Sequence, residues 1–125
     1  MVEEFLRMVT PAMHMIRRVT QETTLHDVTM KEGGTVALWF VAANRDPSVF
    51  ENPHAYNAAR TSNVHQSFGG GGPHFCIGNH LARLEVQILL REMFTRGPKV
   101  TLNGTPERGW TNFINQLRTL PVVSA

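Results

Sequence analysis

Apolar side chains recur at helical spacing near both ends of the chain. From Val2 to Val9 they follow the i, i+3, i+4, i+7 pattern, which predicts an amphipathic helix that ends before Pro11. This helix begins at Met1 with no room for a capping residue, so we expect the chain to start inside a larger architecture. Two apolar rows between Ile77 and Arg96 predict a long helix, central to the core, that Gly97 ends.

The segments between these helices favour strands. Met15–Thr20 and Thr23–Met30 carry β-branched residues with some alternation, and Lys31–Gly34 is typical of a turn before a further strand. Val36–Ala43 is an unbroken apolar octet, which we expect to be buried on both faces. A small sheet therefore follows the first helix.

Turn and loop signals divide the rest of the chain. Asp46-Pro47 is typical of a helix start and predicts a short helix through Phe50. Glu51–Gln66 has no regular pattern of apolar residues, which predicts an irregular loop. A loop of that length indicates either a functional segment or one that packs against something absent from this chain. Trp110–Leu117 and Leu120–Val123 are predicted to pair as a terminal hairpin. The fold class is therefore α+β.

The composition of the chain argues against two classes of protein, those that bind nucleic acid and those that span a membrane. The chain has 125 residues, 42% of them hydrophobic, which is one small domain's worth of material. Its 12 Lys and Arg against 10 Asp and Glu leave a formal net charge of +2, too little for a nucleic-acid-binding surface. No apolar run approaches the roughly 20 residues of a membrane span, and no signal peptide is visible, so we expect a cytoplasmic protein.

The single cysteine, Cys76, lies in a glycine-rich loop, Phe68–Gly78, directly before the long helix. A phosphate-binding loop is excluded because no Lys followed by Ser or Thr comes after the glycines. The loop instead delivers Cys76 to the first turn of a helix, where free N–H groups and the helix dipole favour an anion such as a thiolate. Gly70, Gly72 and Gly78 would let the backbone approach a flat metal-bearing group bound to the sulfur.

Several segments together resemble the cytochrome P450 family. Gly72–Gly78, which reads Gly-Pro-His-Phe-Cys-Ile-Gly, is similar to the family's haem-binding loop, and Leu81–Glu85 resembles the start of the helix that follows it. Glu4–Arg7 matches the family's Glu-x-x-Arg motif. Tyr56–Arg60 lies where the family has its irregular meander, and Asn44–Pro47 looks like a segment of soluble bacterial members.

The resemblance implies a haem cofactor, iron protoporphyrin IX, with Cys76 as the axial ligand of its iron. It also implies a structural triad of Glu4, Arg7 and Arg60 that supports the haem loop. The remaining residues that it implies are Arg17 and His74 as partners of the haem propionates, Phe68, Gly70, Gly72 and Gly78 around the haem, and Phe113 and Ile114 as candidate substrate contacts.

The same resemblance implies a monooxygenase. Such an enzyme hydroxylates a small hydrophobic substrate with O2 and electrons from a redox partner, here a ferredoxin docked near Arg83. The family's oxygen-handling helix comes before its Glu-x-x-Arg motif, so residues 1–125 would be the C-terminal portion, about a third, of one mainly α-helical P450 domain. Phe68 lies eight residues before Cys76, where seven is usual, and this longer loop resembles a bacterial subgroup that acts on sterols and branched lipids.

Other interpretations of the cysteine remain open. His74, Cys76 and His80, completed by His65, could form a zinc site, although their spacing lacks a paired Cys-x2-Cys element. Cys76 could also be a free buried thiol. Within the P450 interpretation, the chain is either a piece of a working monooxygenase or a truncated, non-catalytic remnant. An open reading frame upstream of Met1 would favour the working enzyme.

Overall fold

The first helix forms where the apolar spacing predicts it. In the computed structural model, which describes residues 1–97 and 99–124, helix α1 spans Val2–Val9. Met1 occupies the N-cap position without a side-chain capping bond. The helix ends at Thr10, whose left-handed backbone (φ 42°) lets its N–H donate to Leu6 O, while its hydroxyl donates to Arg7 O.

Four short strands follow as two antiparallel pairs. Strand β1 (His14–Arg18) pairs with β4 (Thr35–Trp39), and β2 (Thr23–Leu25) pairs with β3 (Val28–Met30). The apolar octet is divided between two elements, because β4 leads directly into a one-turn helix, α2 (Phe40–Ala43).

The middle of the chain is irregular and leads into the long helix. Asp46 caps a single turn by accepting bonds from the Ser48 N–H and hydroxyl, so the short helix predicted through Phe50 is wrong. The irregular loop predicted over Glu51–Gln66 is confirmed. Helix α3 spans Asn79–Arg96, begins two residues later than predicted, and ends at Gly97 in the left-handed conformation.

The C-terminal strands pair differently from the prediction. Strand β5 (Val100–Leu102) pairs with β8 (Val122–Ser124), while β6 (Glu107–Arg108) and β7 (Leu117–Thr119) form the hairpin between them. Most of Trp110–Leu117 is therefore a loop, not a strand. Its backbone is held by the segment after α1 instead, because the Met13 N–H donates to Phe113 O and the Asn115 N–H to Pro11 O, both at 2.8 Å.

The buried centre of the chain is mainly polar. Among the described residues, the buried apolar side chains are Leu6 and Phe50, and the buried polar ones are Glu4, Arg7, Thr10, Asn44, Ser67 and Asn79. This centre lies where α1 meets the irregular segment and the start of α3. Burial is therefore greatest around hydrogen-bonded and charged groups.

Large apolar faces remain exposed. The accessible surface is 9443 Å², whereas a compact monomer of 14.0 kDa would expose about 6,700 Å². Leu81, Leu84 and Leu89 on α3 are more than half exposed, as is Trp39 of the octet, so the predictions that these segments are buried are wrong. Nothing within the described residues covers them. No helix in this part of the chain is both long and apolar enough to cross a membrane.

Candidate functional site

A cavity of about 590 Å³ lies beside the glycine-rich loop. On the side away from the loop it is lined by four apolar residues before and within β1, β4 and α2, namely Ala12, Met15, Leu38 and Phe40. The rest of its lining comes from Arg17 and from the loop residues Ser67, Phe68, Gly69, Gly70, Gly71, Pro73, His74 and Cys76. The cavity thus brings together five of the predicted cofactor-binding residues.

The backbone of Cys76 is fixed on both sides while its thiol is exposed. Its N–H donates to Phe68 O at 3.0 Å and so closes the loop. Its carbonyl accepts two bonds from Asn79, from the backbone N–H at 3.2 Å and from the side-chain Nδ2 at 2.7 Å. The sequence predicted Cys76 in the first turn of the long helix. This prediction is wrong, because Cys76 lies three residues before α3 begins at Asn79. Cys76 therefore lines the cavity with a fixed backbone and an accessible side chain.

The glycines of the loop have different roles. Gly69, Gly71 and Gly72 have φ of 89°, 101° and 75°, a region in which any other residue is strained. Gly70 lines the cavity, and an added Cβ there would lie 3.0 Å from Gln66 Oε1. Gly72 does not line the cavity, so its contribution is to the turn of the loop.

Gly78 and Phe68 lie on either side of Cys76 in the chain. Gly78 does not line the cavity, but an added Cβ there would lie 3.9 Å from Cys76 Sγ, within contact distance of the sulfur. The Phe68 ring lines the cavity, with the Arg83 guanidinium 4.5 Å from its centroid. In this loop, where Phe68 lies eight rather than seven residues before Cys76, the Phe68 ring therefore packs against Arg83 of α3.

The other predicted binding residues divide into two groups. Arg17 and His74 are exposed and line the cavity, and Arg17 Nη1 donates to Ile16 O at 2.9 Å. Phe113 and Ile114, the candidate substrate contacts, do not line it. The Phe113 ring packs edge-on against His14, and Ile114 forms a β-bridge with Ala12, which does line the cavity.

The structure brings Glu4, Arg7 and Arg60 together. Glu4 Oε1 and Oε2 accept from Arg7 Nη2 and Nε, both at 2.8 Å, and Oε2 accepts from Arg60 Nε at 3.1 Å. The Asn57 N–H and Asn63 Nδ2 also donate to this carboxylate. The hydrogen bonds from Arg7, with those from Asn57 and Arg60, lower the pKa of Glu4 to about 2. We call Glu4 and its donors the Glu4 cluster.

Arg7 extends this cluster into the irregular segment. It is fully buried, and its Nη1 donates to Asn44 O at 2.6 Å and to Pro53 O at 2.8 Å. Asn44, also fully buried, donates through Nδ2 to the hydroxyls of Thr10 and Ser67. Sequence reasoning assigned no role to Asn44, Thr10 or Ser67, because their spacing in the chain gives no sign of this contact.

A second polar group, which we call the Glu3 cluster, was also missed. Glu3 accepts from Arg83 Nε at 2.8 Å and Nη2 at 3.0 Å, and His65 Nε2 lies 2.9 Å from its Oε2. The Arg83 bond lowers the pKa of Glu3, and burial lowers the pKa of His65. Arg83, which the resemblance implied as a docking cation, thus has its guanidinium engaged within the chain.

The zinc interpretation receives no geometric support. Within residues 1–97 and 99–124, no group of three or more His, Cys, Asp or Glu side chains is placed to hold a metal ion. His65, which would complete such a site, is bound to Glu3 instead.

Comparison with known proteins places this geometry in one family. The family model described as "Cytochrome P450" matches residues 1–96. A methyl-branched lipid omega-hydroxylase of Mycobacterium tuberculosis is 41% identical over 121 residues, which are 97% of this chain and 28% of that protein. A steroid C26-monooxygenase of Rhodococcus jostii is 35% identical over 119 residues, which are 93% of this chain and 25% of that protein.

Solved structures agree with this comparison. A cytochrome P450-153 from Novosphingobium aromaticivorans superposes with a TM-score of 0.94 at 42% identity, over 98% of this chain and 31% of that one. The predicted fold class, part of a P450 fold, is thereby confirmed. The chain spans about a quarter of the length of the curated relatives that it matches.

Proposed function

This chain belongs to the cytochrome P450 family, and from that premise we propose that it is the haem-binding, C-terminal portion of a haem-thiolate monooxygenase. The observation that carries the proposal is the exposed thiol of Cys76 in a cavity with an apolar side, where Arg17 and His74 also contribute to the lining. Cys76 is the proposed ligand of the haem iron.

The residues of the cavity fit haem by their chemistry. A thiolate is a soft ligand suited to iron, and Leu38 and Phe40 offer apolar contact to a macrocycle. Arg17 and His74 are donors of the kind that binds carboxylates with charge-assisted bonds, which suits the two propionates. Gly70 and Gly71 bring backbone without side chains to the cavity, which leaves space for a flat group.

Haem bound by a thiolate supplies the activation of O2 that leads to hydroxylation of unactivated C–H bonds. The chain's own residues hold that ligand in place. Phe68 O and the two Asn79 donors fix the backbone of Cys76, and hence the direction of its Cα–Cβ bond. The apolar residues of the cavity would contact the macrocycle, and Arg17 and His74 would bind the charged edge of the cofactor.

We propose a lipid as substrate, with a methyl-branched chain favoured over a steroid. The relatives support this, because the protein named for hydroxylation of methyl-branched lipids is 41% identical to this chain, whereas the one named for monooxygenation at steroid C26 is 35% identical. One oxygen atom of O2 enters a substrate C–H bond and the other leaves as water, with two electrons and two protons consumed. A ferredoxin-type partner in the cytoplasm would deliver the electrons.

The second candidate is a non-catalytic remnant that binds haem weakly or not at all. The observation that favours it is the large uncovered surface, since exposed apolar faces border a cavity that this chain does not enclose by itself. Coding sequence upstream of Met1 decides between them. A stop codon close upstream would favour the remnant, and an open frame would favour the enzyme.

The deciding experiment is the absorption spectrum of the reduced, CO-bound product of the gene, together with any coding sequence that precedes Met1. We expect a thiolate-type Soret band that disappears in Cys76→Ala. Ile77→Ala is the matched control, because Ile77 is adjacent and fully exposed. An unchanged spectrum in Cys76→Ala at normal protein level would refute Cys76 as the ligand.

The substrate is tested separately by product analysis. The reconstituted enzyme is incubated with a methyl-branched fatty acid or with a steroid that carries a branched side chain, and mass spectrometry locates the added oxygen. Terminal hydroxylation of the fatty acid at the higher kcat/KM is the expected result. A clear preference for the steroid would overturn the substrate assignment without affecting the cofactor assignment.

A further inference from the structure

The Glu3 cluster connects α1 to the cysteine loop through a continuous set of hydrogen bonds. Glu3 binds Arg83 with both carboxylate oxygens, in a two-pronged geometry. Arg83 Nη1 donates to Asn79 Oδ1 at 2.8 Å, and Asn79 Nδ2 donates to Cys76 O at 2.7 Å. A charge pair on two helices is therefore linked to the carbonyl of the proposed ligand residue.

The orientation of the Asn79 amide is dictated by its two neighbours. Arg83 has only N–H donors and requires the amide oxygen on its side. The Cys76 carbonyl is an acceptor and requires the amide nitrogen on the other side. Asn79 is 6% exposed, so water does not readily replace either bond. The amide is thus held in one orientation and transmits the position of Arg83 to Cys76.

Arg83 also reaches the other side of Cys76 through Phe68. Its guanidinium lies 4.5 Å from the centre of the Phe68 ring, and the carbonyl of the same Phe68 accepts from the Cys76 N–H. The contacts of one guanidinium therefore lead to both backbone polar groups of Cys76. Movement of Arg83 would disturb both.

His65 holds the Glu3 carboxylate in place through a hydrogen bond. Its Nδ1 accepts from the Ser67 N–H at 3.2 Å, so the proton of the neutral ring lies on Nε2, which donates to Glu3 Oε2. The His65 side chain is 2% exposed and lies beside Phe68, with ring centroids 5.8 Å apart. Neutral His65 thereby fixes Glu3 relative to the start of the cysteine loop.

We infer that Glu3, Arg83 and Asn79, with His65, are positioning residues that set the direction of the Cys76 thiolate toward the haem iron. The inference rests on the proposed function of Cys76 as the iron ligand. These residues do not touch the reacting atoms, and they act through the backbone of Cys76. They act on α3 and the cysteine loop, whereas Glu4 and its donors join α1 to the irregular segment.

The first test measures hydrogen exchange of the Cys76 amide in the product of the gene, from peptides that cover residues 68–79. Asn79→Asp is nearly isosteric and keeps an acceptor for Arg83, but it places a second oxygen against Cys76 O. We expect exchange at Cys76 to rise in Asn79→Asp and in Arg83→Gln, by about five-fold in Arg83→Gln, the scale of one partly exposed charged contact. Arg91→Gln is the matched control, because Arg91 lies on the same helix, two-thirds exposed.

The second test separates positioning from general stability. Exchanging the charges in the double variant Glu3→Arg, Arg83→Glu restores an ion pair between α1 and α3. A carboxylate at position 83 accepts hydrogen bonds, so the Asn79 amide must turn its nitrogen toward it. The nitrogen then no longer donates to Cys76 O. We expect the double variant to regain thermal stability while its Cys76 exchange stays raised. We also expect its Soret maximum, like those of Asn79→Asp and Arg83→Gln, to differ from that of the unaltered protein.

The outcomes distinguish the two proposals. A normal Soret maximum and normal Cys76 exchange in Asn79→Asp and Arg83→Gln would overturn the positioning role and leave Cys76 as ligand. Recovery of both spectrum and exchange in the charge-exchanged variant would also overturn it, because the pair would then be purely structural. A thiolate-type spectrum that persists in Cys76→Ala would instead overturn the proposed function, whatever the exchange measurements show.

Discussion

Glu3 and Glu4 are adjacent in the first turn of α1, yet they contact different parts of the molecule. Glu4 is 1% exposed and binds Arg7, Arg60 and the irregular segment. Glu3 is 40% exposed and binds Arg83 and His65, next to the cysteine loop. The helix geometry explains the division, because successive residues on a helix point about 100° apart.

Because the two carboxylates differ in burial, they contribute differently to the free energy of folding. A buried charge that loses its partner keeps its desolvation penalty, whereas a partly exposed charge is resolvated and screened. The Glu4 cluster therefore contributes mainly to the free energy of folding. The Glu3–Arg83 pair contributes little to that free energy, and what it adds is the direction of the groups it holds.

The same substitution at positions 3 and 4 should have very different effects on stability. We expect Glu4→Gln to lower the free energy of unfolding by about 3–5 kcal/mol, because the new amide nitrogen would face the Arg7 and Arg60 donors in a buried site. Haem retention would fall with it. Urea unfolding of the full-length protein measures the change, with Glu92→Gln on α3 as the control, since Glu92 is 37% exposed. Equal losses in Glu3→Gln and Glu4→Gln would contradict the comparison.

Acid provides the next largest effect. Because the pKa of Glu4 falls from 4.5 to about 2 on folding, its stabilisation is complete above pH 4.5 and is lost as the pH falls toward 2. The shift corresponds to about 3 kcal/mol. Unfolding free energies measured between pH 5 and pH 2 should therefore decline more steeply in the unaltered protein than in Glu4→Gln. Parallel pH profiles in the two proteins would show that another group carries the acid sensitivity.

His65, which binds Glu3, should make stability depend on pH in a milder range than Glu4 does. Burial lowers the pKa of His65 below 6.5 in the folded state, so the unfolded chain takes up the proton first as the pH falls. Stability from neutral His65 is complete above pH 6.5 and is lost below it, by at most about 1.4 kcal/mol per pH unit. We expect the slope of unfolding free energy between pH 6.5 and 5 to shrink in His65→Gln. A slope unchanged by this substitution would place the titration elsewhere.

Sequence reasoning found the parts of the site whose residues are close together in the chain. Cys76 could be recognised as a candidate metal ligand because it is the single cysteine, follows a run of glycines and precedes a helix. Glu4 and Arg7 are one helical turn apart, so their pairing follows from the spacing itself. Arg60 required the family resemblance, since its contact with Glu4 joins residues far apart in the chain.

The missed features depend on how distant segments meet. Glu3 and Arg83 are 80 residues apart, and their contact depends on how α1 packs against α3, which no local pattern records. Asn44 is buried because its amide completes the bonds of Thr10 and Ser67. The apolar face of α3 was identified, but periodicity shows which face is apolar and not whether anything covers it.

The smallest predicted effect concerns Glu3 itself. We expect Glu3→Gln to lower the free energy of unfolding by less than about 1 kcal/mol, because a pair that is more than a third exposed is screened by solvent. The loss should shrink further as salt is raised from about 0.05 to 1 M, since the screening length falls to about 3 Å. The loss in Glu4→Gln should persist at high salt, because solvent ions do not reach a side chain that is 1% exposed. Urea unfolding at both salt concentrations measures this contrast, and a salt-independent loss at Glu3 would mean that this carboxylate belongs energetically with Glu4.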